Sequence, residues 1–578
     1  MCDLRVRVSK KIINMHWTPK PIPDVDKVKQ LQKLIGVPYE IACLLIQRGI
    51  EDFNTAKSFF RPELSDLHDP FLMGSMRQAV DRISQAIDRG EKIMVYGDYD
   101  VDGTTAVALV FSFLRQSHPH CIYYIPDRND EGYGISTKGI DQAKAENVSL
   151  IIALDCGIKA KDKVSYAQTL GIDFIICDHH LPGEELPNAV AILDPKQPDC
   201  SYPFKDLCGC GIGFKLIQAL NSVQGGVLED IIPFVDLVAM AIAADIVPMV
   251  GENRILTHFG IQQIQENPRL GIRFFISEIK RDINVSDLVF VLAPRINGAG
   301  RIKHGSHAVS LLLSEDKEEA LSRARVIELF NSERKELDQK ITAQAFDQIN
   351  QNQEEEFYST VVFQPDWHKG VLGIVASRLI ETHYRPTVVF AASGDYYTGS
   401  VRSVKGVDVY QILAACKEHI VQFGGHRYAA GLTIKPEEYL PFKKAFESAV
   451  KKHIEPKQRI PSIVYDLEIS LNKITPKFYR IMAQMAPFGP GNMRPVFFTK
   501  NCLDGGGTKA VGVDQSHLKL EVIDDTKGSL TGIGFGMANH ISKIKSRDLF
   551  QILYSVDENK FRGMKSLQLK LNDLRFSN

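Results

Sequence analysis

From Lys92 onward the chain alternates short apolar runs with amphipathic stretches. KIMVYG, CIYYIP, SLIIALD and FIICD are separated by helical patterns near 103–115, 137–146 and 161–171. The alternation of apolar runs with helical stretches predicts a doubly wound α/β lobe on a parallel sheet. Between Glu315 and Glu356, Leu337, Ile341, Ala345 and Ile349 recur at helical spacing with no Pro or Gly. This predicts a long helix joining two lobes, its many charges forming a solvated face. A second α/β segment starts at STVVFQPDW, continues through VVFAAS and a Gly-rich region, and ends near His453. Beyond it, SIVYDLEIS, PVFFTK, HLKLEVID and FQILYSVD are punctuated by Gly clusters, and their period of two with frequent turns predicts a small barrel of OB-fold size. The first 75 residues carry helical patterns (VDKVKQLQKLIGV, YEIACLLIQRGI) between Pro segments and read as an N-terminal extension. The expected organisation is therefore an extension over 1–75, an α/β lobe over 76–310, a connecting helix over 315–356, a second α/β lobe over 357–455 and a barrel over 460–578.

At 578 residues the chain exceeds what one hydrophobic core supports, which fits this modular reading. The longest apolar stretch, Leu237 to Val250, is broken by Asp245 and falls short of the roughly 20 residues needed to cross a bilayer. The opening MCDLRVRVSKKI is basic but lacks the apolar segment of a secretory signal, so a cytoplasmic protein is expected. Ten cysteines are scattered, and Cys208 and Cys210 stand too close for a zinc ribbon. Cys156 and Cys177 each follow an apolar run and are expected to be buried. The net charge of −1 hides an asymmetry, because residues 451–578 hold 20 Lys and Arg against 12 Asp and Glu. An acidic body thus precedes a basic tail suited to a phosphate backbone.

The chemistry concentrates in four segments. GDYDVDGTT places Asp98, Asp100 and Asp102 two residues apart directly after an apolar strand, and carboxylates this close repel one another unless a cation intervenes. The start of the motif matches a calcium loop, but its twelfth position is Leu109 where a bidentate Glu is required. Alone, the cluster is either a metal site or a solvated turn. Asp155 ends SLIIALD, Asp178, His179 and His180 end FIICDHH, and Asp245 follows VAMAIAA. Loops at the carboxyl ends of parallel strands form the crevice of such sheets, so these groups are expected to converge. A mixed oxygen and nitrogen set suits Mn²⁺ or Mg²⁺, and two such ions support phosphoester hydrolysis.

GDYDVDGTT, ALDCGI, CDHH and AADIVP, in this order and spacing, resemble the motifs of the DHH phosphoesterase superfamily, and within it the branch of exonucleases that degrade single-stranded DNA from the 5′ end. The resemblance implies a two-lobed DHH fold with a C-terminal OB-fold. It also implies two bound Mn²⁺ or Mg²⁺ ions with Asp98, Asp100, Asp155, His179 and Asp245 as ligands, Asp155 bridging them. His180 would face the scissile phosphate and Asp102 would orient ligands. Other branches begin the first motif with a histidine where this chain has Met94, which favours the exonuclease branch.

Further motifs imply the substrate contacts. PRINGAGRI, read as a Gly-containing loop, offers Arg295, Asn297 and Arg301 for phosphate, with Gly298 where the family has alanine. His368 in WHKGVLGIVASRL, Ser400 and Arg402 in TGSVRSVKGVDV, and Gly424, Gly425 and His426 in QFGGHRYAAG resemble the DHH-associated substrate domain. PFGPGNMRPVF resembles the entrance to the branch's OB domain, whose Phe497, Phe498 and Phe535 either fill the core or form a stacking platform. The implied partner is single-stranded DNA, acted on by a monomer, with a helicase and a single-strand-binding protein as neighbours. Two rivals remain open: a phosphoesterase of short oligonucleotides or cyclic dinucleotides, and a catalytically inactive DNA-binding relative.

Overall fold

In the computed structural model, which describes residues 15–561 and 563–576, five strands form a wholly parallel sheet: β1 Lys92–Gly97, β2 Cys121–Tyr124, β3 Val148–Leu154, β4 Asp173–Cys177 and β5 Ala191–Leu193. The basic opening segment MCDLRVRVSKKI lies outside the described residues. Alternate side chains of each strand enter two cores. Ile93, Val95, Leu150, Ile152 and Ile175 face helices α1 Val101–Arg115, α2 Gly209–Val223 and α3 Val235–Ala244, while Met94, Tyr96, Ile151, Ala153 and Ile176 face the opposite layer. The near-continuous apolar strands follow from this two-sided burial. The order is β2-β1-β3-β4-β5, so the sheet changes winding direction between β1 and β3. In open α/β sheets the ligand crevice lies at such a switch point, beyond the carboxyl ends of the strands.

PRINGAGRI is a helix, α4 Ala293–Ile302, and not the loop expected from its glycines. Those glycines serve close packing instead: a Cβ on Gly300 would lie 2.6 Å from the Tyr99 carbonyl oxygen. Helix α5 Lys317–Gln351 then leads to the second lobe. Its sheet, β6 Thr360–Phe363, β7 Thr387–Ser393, β8 Tyr396–Arg402, β9 Gln422–His426 and β10 Ala429–Ile434, runs in the order β9-β10-β8-β7-β6, with β6 and β7 parallel and the other pairs antiparallel.

In the C-terminal module, strands Phe497–Asp504, Phe550–Phe561, Met564–Phe576, Ser529–Gly534 and His517–Ile523 pair in succession, and the last pairs back to the first, closing a five-stranded barrel. SIVYDLEIS does not enter it as one strand. Ser462–Tyr465 leaves to pair in parallel with His16–Pro19, and Leu467–Glu468 alone joins the barrel sheet. The N-terminal segment is likewise more than an extension: Leu31, Ile41, Leu44 and Leu45 share one core with Phe497, Leu518, Phe550 and Leu569 of the barrel. Arg254 joins this unit to the first lobe, donating from Nη1 to the Ala486 carbonyl at 2.9 Å and from Nη2 to the Phe59 carbonyl at 2.7 Å. Among the described residues no helix is long and apolar enough to cross a membrane.

Candidate metal centre

Asp98, Asp155 and Asp178 each stand directly after a strand, β1, β3 and β4, so the parallel sheet delivers all three to one end. Asp155 Oδ1 lies 3.2 Å from His179 Nε2, and Asp245 Oδ2 and Asp102 Oδ2 each lie 3.7 Å from the same nitrogen. Among the described residues two groups of possible ligand atoms result, Asp155 with His179 and His180, and Asp102 with His179 and Asp245. Asp100 caps α1, accepting from the Gly103 amide at 3.1 Å. Asp98 is fully buried, and its Oδ2 has no hydrogen-bond partner among the described residues.

The electrostatics follow from crowding acids away from water. Burial, reinforced by the charges of Asp102, Asp100 and Asp245, lifts the Asp155 carboxyl well above its ordinary value. Burial and then Asp100 do the same to Asp98. Asp245 is pushed up to about 8, first by burial and then by Asp102 and Asp100. His179 is driven down to about 3, by burial and by its neighbour His180, which leaves a neutral imidazole. An orphaned buried carboxylate oxygen, several acids held against ionisation and a neutral imidazole form a donor set that fits a hard divalent cation.

Two acids are already committed to the protein. Asp102 accepts from the Gly209 and Cys210 amides, both at 2.7 Å, tying the start of α1 to the start of α2. Asp178 accepts from the Ile158, His179 and His180 amides and from His180 Nδ1 at 2.7 Å. Burial would raise its pKa, but the bond and charge of His180 outweigh that and hold it at about 2. Sequence reasoning missed this anchoring role, together with Tyr133, whose hydroxyl donates to the Asp155 carbonyl at 3.0 Å, and Lys196, whose Nζ donates to the His179 carbonyl at 2.5 Å.

The substrate residues divide. Arg301, on α4, donates from Nη1 to the Gly370 carbonyl at 3.1 Å, and Arg402 donates from Nη1 to Ser400 Oγ at 3.2 Å. A Cβ on Gly373 would lie 2.6 Å from Arg402 Nη2 and 3.0 Å from Ser400 Oγ, so that glycine opens the pocket floor. Burial, then the charges of Arg128, Arg402 and Arg334, brings Arg301 down to about 9. Arg128, unmarked in the sequence by any motif, lies over the Tyr99 ring at 4.9 Å. Among the described residues none of Arg128, Arg301 and Arg402 forms an ion pair. His368 accepts the Gly370 amide at 3.1 Å beside them. Arg295, by contrast, turns away: its guanidinium pairs with Glu328 of α5 at 2.6 Å and packs over Phe275. Asn297 is half-buried on α4 between the two arginines. Gly424 and Gly425 lie on the exposed edge strand β9, and His426 at its end faces His180 with ring centroids 6.2 Å apart.

Family models match the chain in three places: the DHH family N-terminal domain over 92–242, the DHHA1 domain over 353–452 and the RecJ OB domain over 465–573. A single-stranded-DNA-specific exonuclease RecJ from Bacillus subtilis (strain 168) is 36% identical over 97% of this chain and 71% of its own length. The protein of that name from Salmonella typhimurium is 33% identical over 87% of this chain and 90% of its own length. The chain belongs to the RecJ family. A manganese-bound crystal structure of exonuclease RecJ is 28% identical, with a TM-score of 0.60 over 68% of this chain and 98% of the other. RecJ from Thermus thermophilus in complex with Mn²⁺ shares the fold at a TM-score of 0.84 over 97% of this chain and 80% of the other, at 24% identity.

Proposed function

We propose that this chain is a metal-dependent exonuclease of single-stranded DNA that removes nucleotides from the 5′ end during DNA repair and recombination. One observation carries the reading. The acid and imidazole cluster at the switch point of the first sheet stands opposite an arginine pocket, drawn from both lobes, that lacks carboxylate partners among the described residues. Asp155, His179 and Asp245, which fall in the two groups of possible ligand atoms, would hold Mn²⁺ or Mg²⁺ together with Asp98, whose Oδ2 is unpartnered among the described residues, and Asp100, which the family resemblance adds; Asp102 would orient the start of the motif. Bound there, such ions act as Lewis acids that activate water and neutralise charge building on phosphorus.

The chain's own groups do the rest. Arg128, Arg301, Arg402 and the Ser400 hydroxyl offer donors to the terminal phosphate of a strand. His180, fixed through Nδ1 by Asp178, sets its ring beside those of His179 and His426. Holding one end of the strand at a fixed distance from the acids selects the bond to be cut, as near-attack positioning requires. Phe497 belongs to the barrel core, whereas Phe535 is 58% exposed beside His517 and can receive a base. The basic surplus of residues 451–578 favours a polymer over a dinucleotide. A helicase would supply such strands and a single-strand-binding protein would hold them.

The test is degradation of single-stranded oligonucleotides labelled at either end, with duplex and dinucleotide controls, in Mn²⁺. Early release of 5′-labelled mononucleotides, with resistant duplex, is expected. Preferred cleavage of dinucleotides, or retention of strands without any cleavage, would overturn the reading.

A further inference from the structure

We propose that the hydroxyl of Tyr133 is a positioning group that locks together the backbone of Asp155 and the imidazole of His180; this rests on the reading of the site given above. Asp155 has φ of 59°, a left-handed conformation that strains a residue with a side chain and persists only where its surroundings over-determine it. Three contacts supply that determination. Its amide donates to the Cys177 carbonyl at 2.9 Å. Its Cβ is pressed by the start of α2, where a Cβ on Gly209 would come within 2.6 Å, so only glycine fits there. Its carbonyl accepts from Tyr133 Oη at 3.0 Å.

The same Oη lies 3.3 Å from His180 Nε2, while His180 Nδ1 is held 2.7 Å from Asp178 Oδ1. A phenol oxygen has one proton to give and lone pairs to accept with, so a single atom can serve both neighbours. The imidazole is thereby fixed at both nitrogens, and its ring plane is set relative to the strained acid.

The loop that carries Tyr133 has little freedom to spoil this arrangement. Tyr96 Oη donates to the Gly134 carbonyl at 2.9 Å, and the Glu131 carboxylate accepts from Tyr124 Oη at 2.8 Å and from the Asp127 amide at 2.8 Å. Tyr133 itself packs edge-on against Tyr99, with ring centroids 6.3 Å apart. A residue on a braced loop that touches the backbone of one acid and the ring of its neighbour acts through them, without belonging to the donor set itself.

The experiment compares the full chain with Tyr133→Phe, which keeps the ring contacts with Tyr99 and His180 and removes one oxygen. Mn²⁺ binding is read from the free-ion signal in electron paramagnetic resonance, without turnover, and kcat and KM are measured on a single-stranded oligonucleotide at saturating Mn²⁺. The expected result is weaker Mn²⁺ binding by about tenfold and a kcat lower by about tenfold, the lower end of the loss seen when an orienting partner is removed, with KM moved by less than about twofold. Thermal melting of the metal-free chains should coincide. Unchanged Mn²⁺ binding with unchanged kcat overturns the proposal, as does a rise in KM alone, which would make the hydroxyl a DNA contact. A variant that loses one quantity and keeps the other overturns the half reported by the survivor, Asp155 for binding and His180 for kcat. A parent chain that releases no nucleotides would defeat the nuclease reading, while the Mn²⁺ titration would still decide the Asp155 half.

Discussion

The imidazole rings of His180, at the end of the first lobe's strand β4, and His426, on the edge strand β9 of the second lobe, lie nearly parallel, with an interplanar angle of 10° and centroids 6.2 Å apart. Both lobes therefore present a ring to the same cleft. Replacing His426 with alanine is expected to lower kcat on single-stranded DNA by about tenfold, the scale of one positioned group in a transition state. Mn²⁺ binding should be unchanged because His426 lies outside the donor set. Single-turnover rates and Mn²⁺ titration check this.

Asp155→Ala is expected to abolish nucleotide release, by a factor on the order of 10³ or more, equivalent to about 4 kcal/mol of barrier. Asp155 Oδ1 lies nearest His179 Nε2 among the acids around that nitrogen. Circular dichroism of the variant should match the parent, since deleting the carboxylate also removes a buried acid crowded by four others. Retained activity at saturating Mn²⁺ would contradict the bridging role.

Asp102→Ala should behave differently. Its two oxygens satisfy the amides of Gly209 and Cys210, both buried at the start of α2. Leaving two buried donors unpaired costs about 1–3 kcal/mol each, so a lower melting temperature even without metal is expected. A variant that melts like the parent and loses only activity would make Asp102 a ligand instead of an anchor.

Arg402→Gln should weaken discrimination between strand ends. Among the described residues no carboxylate forms an ion pair with Arg301 or Arg402, so their charge is available to a terminal phosphate. Hydrogen bonds to charged groups are worth about 1.5–3 kcal/mol, which predicts a rise in KM of about 10- to 100-fold for strands with a 5′ phosphate and a much smaller change for 5′ hydroxyl ends. Paired kinetics on the two substrates measure it, and an equal effect on both would count against phosphate recognition.

The acids also predict a pH dependence. Asp245, ordinarily ionised above about 4, is held protonated up to about 8 in the metal-free fold. A folded pKa above the unfolded one means that the unfolded chain binds fewer protons in between, so stability is fullest below the unfolded value and declines as pH rises through the folded one. The melting temperature of the metal-free protein should fall between about pH 5 and pH 8, with Asp155 and Asp98 acting in the same direction. Mn²⁺ should restore more stability at pH 8 than at pH 6, because it replaces the displaced protons. Calorimetric scans with and without Mn²⁺ at both pH values test the sign.

The acid and imidazole motifs were legible because their chemistry is written locally. A carboxylate directly after an apolar run sits at a strand end, and parallel strands share the side on which they end, so Asp98, Asp155 and Asp178 could be placed together before any coordinates. The strand and helix periods likewise announced the two α/β lobes and the barrel. Other features depend on a partner far along the chain. Nothing near Arg295 reveals that Glu328 captures it, whereas Arg301, farther along the same helix, keeps its guanidinium for the cleft. The glycines of 294–302 suggested a loop because a missing side chain signals turns and close packing alike; the nearness of Tyr99 decided for packing. Tyr133, Arg128 and Lys196 are ordinary residues in polar segments, and they gain a role through what folding sets beside them. The N-terminal helices read as an extension, yet their apolar faces complete the barrel core. Sequence thus determined which acids and imidazoles stand at the ends of which strands. Tertiary structure decided which charges stay unpaired, because pairing depends on distance in space, and a linear pattern records only distance along the chain.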